Sequence, residues 1–145
     1  MTPLRPILLA EDSRADAEMT IDALQEAHVA NPVVHVEDGV EALDYLHRRG
    51  KYDGRDPNMP AVVLLDIKMP RMDGVEVLRA LRADNEFRHM PIVILSSSRE
   101  ERDVANCWDL GVNAYVVKPH DIDKYFETVR TIGQFWGTIN EAPAH

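Results

Sequence analysis

Short apolar runs alternate with longer stretches of helical period along the whole chain. ILLA at 7–10 reads as a strand, and SRADAEMTIDALQEAH at 13–28 follows with Ala15, Met19, Ala23, Leu24 and Ala27 within one half of a helical wheel. Ser13 with Asp16 three residues later resembles a capping box, and Asp12 is an alternative cap, so the helix starts just after Ala10. VVHVE at 33–37 is the second strand. A helix follows in GVEALDYLHRRG, with Val40, Leu43 and Leu46 on one face and Gly50 as its stop. The segment KYDGRDPNMP at 51–60 is longer than the ~2–6 residues usual between a helix and a strand, and reads as a tolerated surface insertion.

The third strand, AVVLLD at 61–66, ends abruptly on Asp66, a poor strand former that is rarely buried without a partner. Pro70 and Gly74 then mark a turn before a helix in VEVLRALRADNEF, where Val77, Leu78 and Leu81 share a face. PIVILSSS at 91–98 is the fourth strand, REERDVANCWDLG at 99–111 the fourth helix and AYVV at 114–117 the fifth strand, broken at Lys118-Pro119. The last helix, DIDKYFETVRTIGQFW, has Ile122, Tyr125, Phe126, Val129, Ile132 and Trp136 in register. Five strands alternating with five helices predict a doubly wound α/β fold: a parallel sheet, order 2-1-3-4-5, with helices on both faces. Burial on both faces explains why VVLL and IVIL are continuously apolar.

Composition narrows the function classes. At 145 residues the chain fits one domain, expected over 1–137 with a short tail at 138–145 and no output domain. The net charge of −9 opposes nucleic acid and anionic membrane. Cys107 is alone and no run approaches the ~20 apolar residues of a membrane span, so a reduced cytoplasmic location is expected. The N-terminal MTPLRPILLAED lacks the pattern of a signal peptide. The six histidines show no ligand spacing and read as solvent-facing or structural, and no glycine pattern matches a nucleotide-binding loop.

In an open parallel sheet the binding crevice lies outside the carboxyl ends of the strands. Those ends carry Glu11 and Asp12 from strand one, Asp66 from strand three, Ser96 with Ser97 and Ser98 from strand four, and Lys118 from strand five. Taken singly, Glu11 and Asp12 are helix-cap carboxylates, Tyr115 a core aromatic and Lys118-Pro119 a turn. Together, three carboxylates would repel one another without a cation, and an open, oxygen-rich acidic pocket suits Mg²⁺. Lys118 and a serine hydroxyl can meet phosphoryl oxygens, and a carboxylate can act as the nucleophile of an aspartyl phosphate. Asp66 is central and becomes the nucleophile, with Glu11 and Asp12 holding the metal.

The landmarks AEDS, LLDIKMPRMDG, PIVILSS and YVVKP, with 30 residues from 66 to 96 and 22 from 96 to 118, resemble the receiver domain of two-component response regulators. The resemblance implies that Asp66 accepts a phosphoryl group from the phosphohistidine of a sensor histidine kinase. It implies a metal held by Glu11, Asp12, Asp66 and the backbone carbonyl of Lys68, Mg²⁺ with Mn²⁺ as the alternative. Ser96 and Tyr115 would be the switch pair, Lys118 the phosphate-contacting lysine, and the Lys118-Pro119 bond cis. It further implies a phosphoacceptor with Mg-dependent self-phosphorylation and autodephosphorylation, not a conventional enzyme. YLHRRG, the long loop before strand three and the FW tail resemble the small stand-alone regulators paired with bacterial phytochromes.

Three residues depart from the pattern: Ser96 replaces the commoner threonine, Lys68 places a cation two residues past the phosphoacceptor, and His120 follows Lys-Pro in place of an apolar residue. Lys68 also speaks against a haloacid-dehalogenase-type phosphatase, which needs an aspartate there. Retention of Asp66, Lys118 and the acidic pair speaks against a pseudo-receiver. The aromatics Tyr125, Phe126, Phe135 and Trp136 are mostly core, with the last two offering a surface for a partner or a homodimer through the C-terminal half.

Overall fold

The computed structural model describes residues 4–142; residues 1–3 and 143–145, which include the end of the expected tail and His145, lie outside the described residues. The strands are β1 (Ile7–Ala10), β2 (Val33–Val36), β3 (Val62–Leu65), β4 (Ile92–Ser96) and β5 (Ala114–Val117). All pairings are parallel in the order β2-β1-β3-β4-β5, as the alternation of elements predicts. The helices are α1 (Arg14–Glu26), α2 (Gly39–His47), α3 (Gly74–Ala83), α4 (Glu101–Asp109) and α5 (Ile122–Gly133), and α5 continues through a wider turn at Gln134–Ile139, across position 137.

Successive side chains of a strand point to opposite faces, so each strand feeds two cores. Leu8, Ala10, Val63, Leu65, Ile92 and Ile94 pack with Leu43 and Leu46 of α2, Val77, Leu78 and Leu81 of α3 and Cys107 of α4. Ile7, Leu9, Val62, Leu64, Val93 and Leu95 pack with Ala17, Ala23 and Leu24 of α1 and Tyr125, Val129 and Ile132 of α5. The three inner strands are wholly buried and the edge strand β5 is half-buried, which sets the strand-end side chains at fixed heights along one rim.

Four helices begin on a capping side chain just past that rim. Ser13, Asp38, Asp73 and Asp121 accept from the backbone N–H of Asp16, Glu41, Glu76 and Lys124, and Asp73 with Glu76 forms a complete capping box. Such caps satisfy amides that the first helical turn leaves unpaired. Gly74 lets α3 start directly behind the phosphoacceptor candidate: a Cβ there would lie 2.2 Å from the Asp66 carbonyl oxygen.

Three helical faces differ from those the periodicity predicts. On α1, Ala17 and Thr20 are buried while Ala15 is exposed and Met19 and Ala27 are half-buried. The wheel is turned because Thr20, although polar, is satisfied inside: its hydroxyl donates to the Asp16 carbonyl and pairs with the Tyr125 hydroxyl, each at 2.9 Å. On α2, Ala42 and Tyr45 join Leu43 and Leu46 inside, and Val40 is only half-buried. On α5, Ile122, the first residue of the helix, is 63% exposed. The long segment before β3 is organised rather than loose. Arg55 donates to the carbonyl of Tyr45 (2.7 Å) and lies 4.0 Å over its ring, while Tyr52 donates to Glu41 (2.7 Å).

Candidate functional site

Asp66 is the first residue past β3, and its backbone N–H still continues the sheet ladder by donating to the Ala10 carbonyl at 3.0 Å. Only 7% of the residue is exposed, and its carboxylate accepts through Oδ1 from the Ile67 N–H at 2.7 Å. Glu11 is the first residue past β1. Its N–H donates to the Val36 carbonyl, its Oε2 accepts from the Ser13 N–H at 3.1 Å, and His35 on β2 meets its carbonyl at 2.8 Å. The N-cap of α1 therefore holds this carboxylate, and the end of β2 holds the backbone that carries it.

The Lys118 ammonium lies at the centre. It donates to Glu11 Oε1 at 2.5 Å, Asp16 Oδ2 at 2.8 Å and Asp66 Oδ2 at 3.2 Å. An ammonium has three N–H donors, so each is committed to a carboxylate. The Lys118 backbone N–H also donates to the Ser96 carbonyl at 2.8 Å, which locks the β5 end to the β4 end. Burial alone would lower the lysine pKa, but the hydrogen bonds with Asp16 and Glu11 and the charge of Asp66 raise it above its ordinary value. Burial, reinforced by the charge of Asp66 and opposed by Lys118, pushes the Glu11 carboxyl up to about 7.

Glu11, Asp12 and Asp66 each present an oxygen within 4.8 Å of the other two, with Asp12 exposed and the other two buried. Buried Glu11 and Asp66 supply hard oxygen donors from fixed strand ends, and exposed Asp12 leaves an open side for water or phosphate ligands. That donor set fits a divalent cation of the Mg²⁺ or Mn²⁺ type. Lys68 is exposed.

Ser96 ends β4, is fully buried, and its Oγ accepts from the Ser98 N–H at 3.2 Å. The β3–β4 register pairs Leu65 with Ile94, so Ser96 stands about one residue higher along the rim than Asp66. Tyr115 is half-buried and its hydroxyl donates to the Ser98 carbonyl at 2.9 Å, so it is tied to the segment that follows Ser96. Ser98 Oγ in turn donates to Asp103 on α4 at 2.6 Å, which connects the β4 end to that helix.

One expectation is corrected. No cis peptide bond occurs among the described residues, so Lys118-Pro119 is trans. Trans is the intrinsically favoured isomer even before proline, and Lys118 reaches all three carboxylates from it.

Sequence reasoning missed Asp16, taken only as part of a cap, and did not name the Glu11 carbonyl as the partner of His35, which was read as solvent-facing or structural. Its one signal was position: Asp16 lies in the first turn of a helix that opens at the rim. Arg71 was also missed. It adopts a left-handed backbone (φ 65°) in the loop after Asp66, held there by its guanidinium on Asp38 at 3.0 and 3.1 Å.

A doubly wound parallel sheet whose strand ends gather three carboxylates, a lysine and a buried serine is the architecture of a receiver domain. The sequence matches the response regulator receiver domain family over residues 7–130, and the chain belongs to that family. It is 32% identical to the response regulator Rcp1 of Synechocystis sp. over 142 residues, covering 98% of this chain and 95% of that one. Among solved structures it is similar to the phosphorylated cyanobacterial phytochrome response regulator RcpA, with 36% identity, a TM-score of 0.90 and coverage of 97% and 99% of the two chains. It is also similar to the bacteriophytochrome response regulator AtBRR, with 48% identity, a TM-score of 0.78 and coverage of 97% and 100%. The solved form of Rcp1, at 31% identity, a TM-score of 0.89 and coverage of 96% and 99%, is Mn²⁺-bound. Among the described residues no helix is long and apolar enough to cross a membrane.

Proposed function

We propose that this chain is a cytoplasmic response regulator that accepts a phosphoryl group on Asp66 from the phosphohistidine of a sensor histidine kinase of the bacterial phytochrome type. The observation that carries this reading is the buried Asp66 carboxylate, with Lys118 Nζ at 3.2 Å and oxygens of Glu11 and Asp12 within 4.8 Å. An Asp66 oxygen attacks phosphorus and forms a P–O bond as the P–N bond to imidazole breaks, and the imidazole nitrogen keeps the electron pair. Lys118 meets the charge that develops on the phosphoryl oxygens. Glu11, Asp12, Asp66 and the Lys68 carbonyl would hold Mg²⁺, or Mn²⁺ in its place, which when bound supplies further positive charge to those oxygens. Ser96 donates its hydroxyl to the phosphoryl group, and Tyr115 changes position with it, which alters the surface offered to a partner.

The receiver is read as 1–137 followed by a tail at 138–145, acting without nucleic acid or membrane. Self-phosphorylation from small donors and autodephosphorylation would both depend on the metal. Exposed Trp108, Ile122, Phe135 and Ile139 support association of two copies through the C-terminal half.

The test is incubation with Mg²⁺ and acetyl phosphate followed by intact-mass measurement. One added phosphoryl group, absent in Asp66→Asn and without Mg²⁺, is expected; a folded protein that takes none refutes the assignment. Sedimentation with and without phosphorylation tests the dimer, and a monomer in both states refutes it.

A further inference from the structure

Lys118 has three partners, and only two of them belong to the carboxylate trio suited to a cation. The third, Asp16, comes from α1 and is bound more closely than the nucleophile: 2.8 Å against 3.2 Å. The Lys118 side chain is 8% exposed, whereas the Asp16 side chain is 34% exposed. A phosphoryl oxygen arriving on Asp66 needs an N–H of Lys118, and every one is already committed. Glu11 and Asp66 have a second positive partner when a cation is present; Asp16 does not.

We infer that Asp16 is a positioning residue: a counter-ion on α1 that restrains Lys118 and competes with the transferring phosphoryl group for its ammonium. This rests on Asp66 as phosphoacceptor. An amide of the same shape keeps a hydrogen bond from the ammonium but loses the charge–charge attraction, so a carboxylate at position 16 holds Lys118 harder. With acetyl phosphate, the P–O bond to Asp66 forms as the P–O bond to acetate breaks, and acetate leaves with the electron pair. Throughout that step the phosphoryl oxygens must outbid Asp16 for Lys118.

The α1 site of the restraint matters. The Asp16 carbonyl accepts from Thr20, whose hydroxyl pairs with Tyr125 on α5. The side chain that holds Lys118 thus projects from a turn anchored to the α1–α5 pair, not from a free loop.

The experiment measures the rate constant of acetyl phosphate labelling by intact mass, in excess Mg²⁺, for the wild type, Asp16→Asn, Asp16→Ala, Lys118→Met and the two Asp16 variants combined with Lys118→Met. Circular dichroism verifies that each is folded. Asp16→Asn and Asp16→Ala should label about three- to tenfold faster than the wild type. Neither should change the rate in the Lys118→Met background, because the restraint has nothing left to hold. The metal-free protein gives a second readout: the Lys118 ¹⁵Nζ resonance should move in Asp16→Asn. Unchanged or slower labelling in both single variants refutes the inference, as does an equal acceleration without Lys118, which would mean that Asp16 acts on the donor directly. A wild type that takes no phosphoryl group removes the Asp66 reading itself, a result distinct from a wild type that labels normally beside unaltered variants.

Discussion

Replacing Lys118 by methionine strands two carboxylates that the fold has already taken out of water. The side chains of Glu11 and Asp66 are 4% and 9% exposed, and each loses an ammonium partner, at 2.5 and 3.2 Å. Their oxygens lie within 4.8 Å of each other, so mutual repulsion alone reaches about 3 kcal/mol at an effective dielectric constant of about 20. Breaking a buried pair on one side costs about 3–5 kcal/mol. In a chain of this size that corresponds to a melting temperature roughly 10–15 °C lower.

Protonation of Glu11 relieves part of the penalty. Its pKa, raised by burial from 4.5 to about 7, already costs the wild type stability as pH climbs through that window. Loss of Lys118 removes the influence that lowers that pKa, so the window extends upward and the variant should suffer more at pH 8.5 than at pH 6. A divalent cation can replace the missing charge. Differential scanning calorimetry without metal should therefore show the deficit, and saturating Mg²⁺ should raise the melting temperature of Lys118→Met more than that of the wild type. Equal melting temperatures in chelator, or an Mg²⁺ shift no larger than the wild type's, would refute the reasoning.

Three other outcomes follow from particular contacts. Gly74→Ala sets a methyl 2.2 Å from the Asp66 carbonyl and should cost about 1–3 kcal/mol in urea unfolding while slowing acetyl phosphate labelling; an unchanged midpoint would show that the loop gives way. Glu41, half-buried and bound by Lys51, the Glu37 N–H and Tyr52, has its carboxyl held down from 4.5 to about 2 although partial burial opposes this. Its stabilisation is present above about pH 4.5 and lost toward pH 2, so the wild type's advantage in melting temperature over Glu41→Gln should shrink across that range, and a constant advantage would count against the assignment. Thr20→Val leaves the Tyr125 hydroxyl buried without its partner and should cost about 1–3 kcal/mol, whereas adding Tyr125→Phe should recover much of it; a double variant less stable than the single would overturn that account.

The elements and their order were legible because the inner strands are buried on both faces, a condition that writes itself into ILLA, VVLL and IVIL as unbroken apolar runs. Glu11, Asp12, Asp66, Ser96 and Lys118 were legible as strand-end residues, since topology alone gathers strand ends. Side chains that arrive from helices were not. Asp16 meets Lys118 across 102 positions, a contact between the start of α1 and the end of β5 that is invisible to local periodicity. Thr20 and Ile122 show the same limit from opposite directions. A threonine is admitted to the core once Tyr125 satisfies its hydroxyl, and an isoleucine in phase with the apolar face stays in water at the first position of its helix. The 51–60 segment reads as a tolerated insertion by length, yet Arg55 stacks on Tyr45 and gives it a fixed course, a cation–π contact that composition does not announce.

Gly74 bears on how this protein would look to a mutational scan. It touches no phosphate, carries no proton and offers no side chain, yet any side chain placed there collides with the carbonyl of Asp66, the proposed phosphoacceptor. Scored by signalling output, position 74 would be as intolerant as position 66, and a map of intolerance would paint both as active site. Only a paired measurement of folded abundance would separate them: silence with protein present at 66, silence through lost or distorted protein at 74.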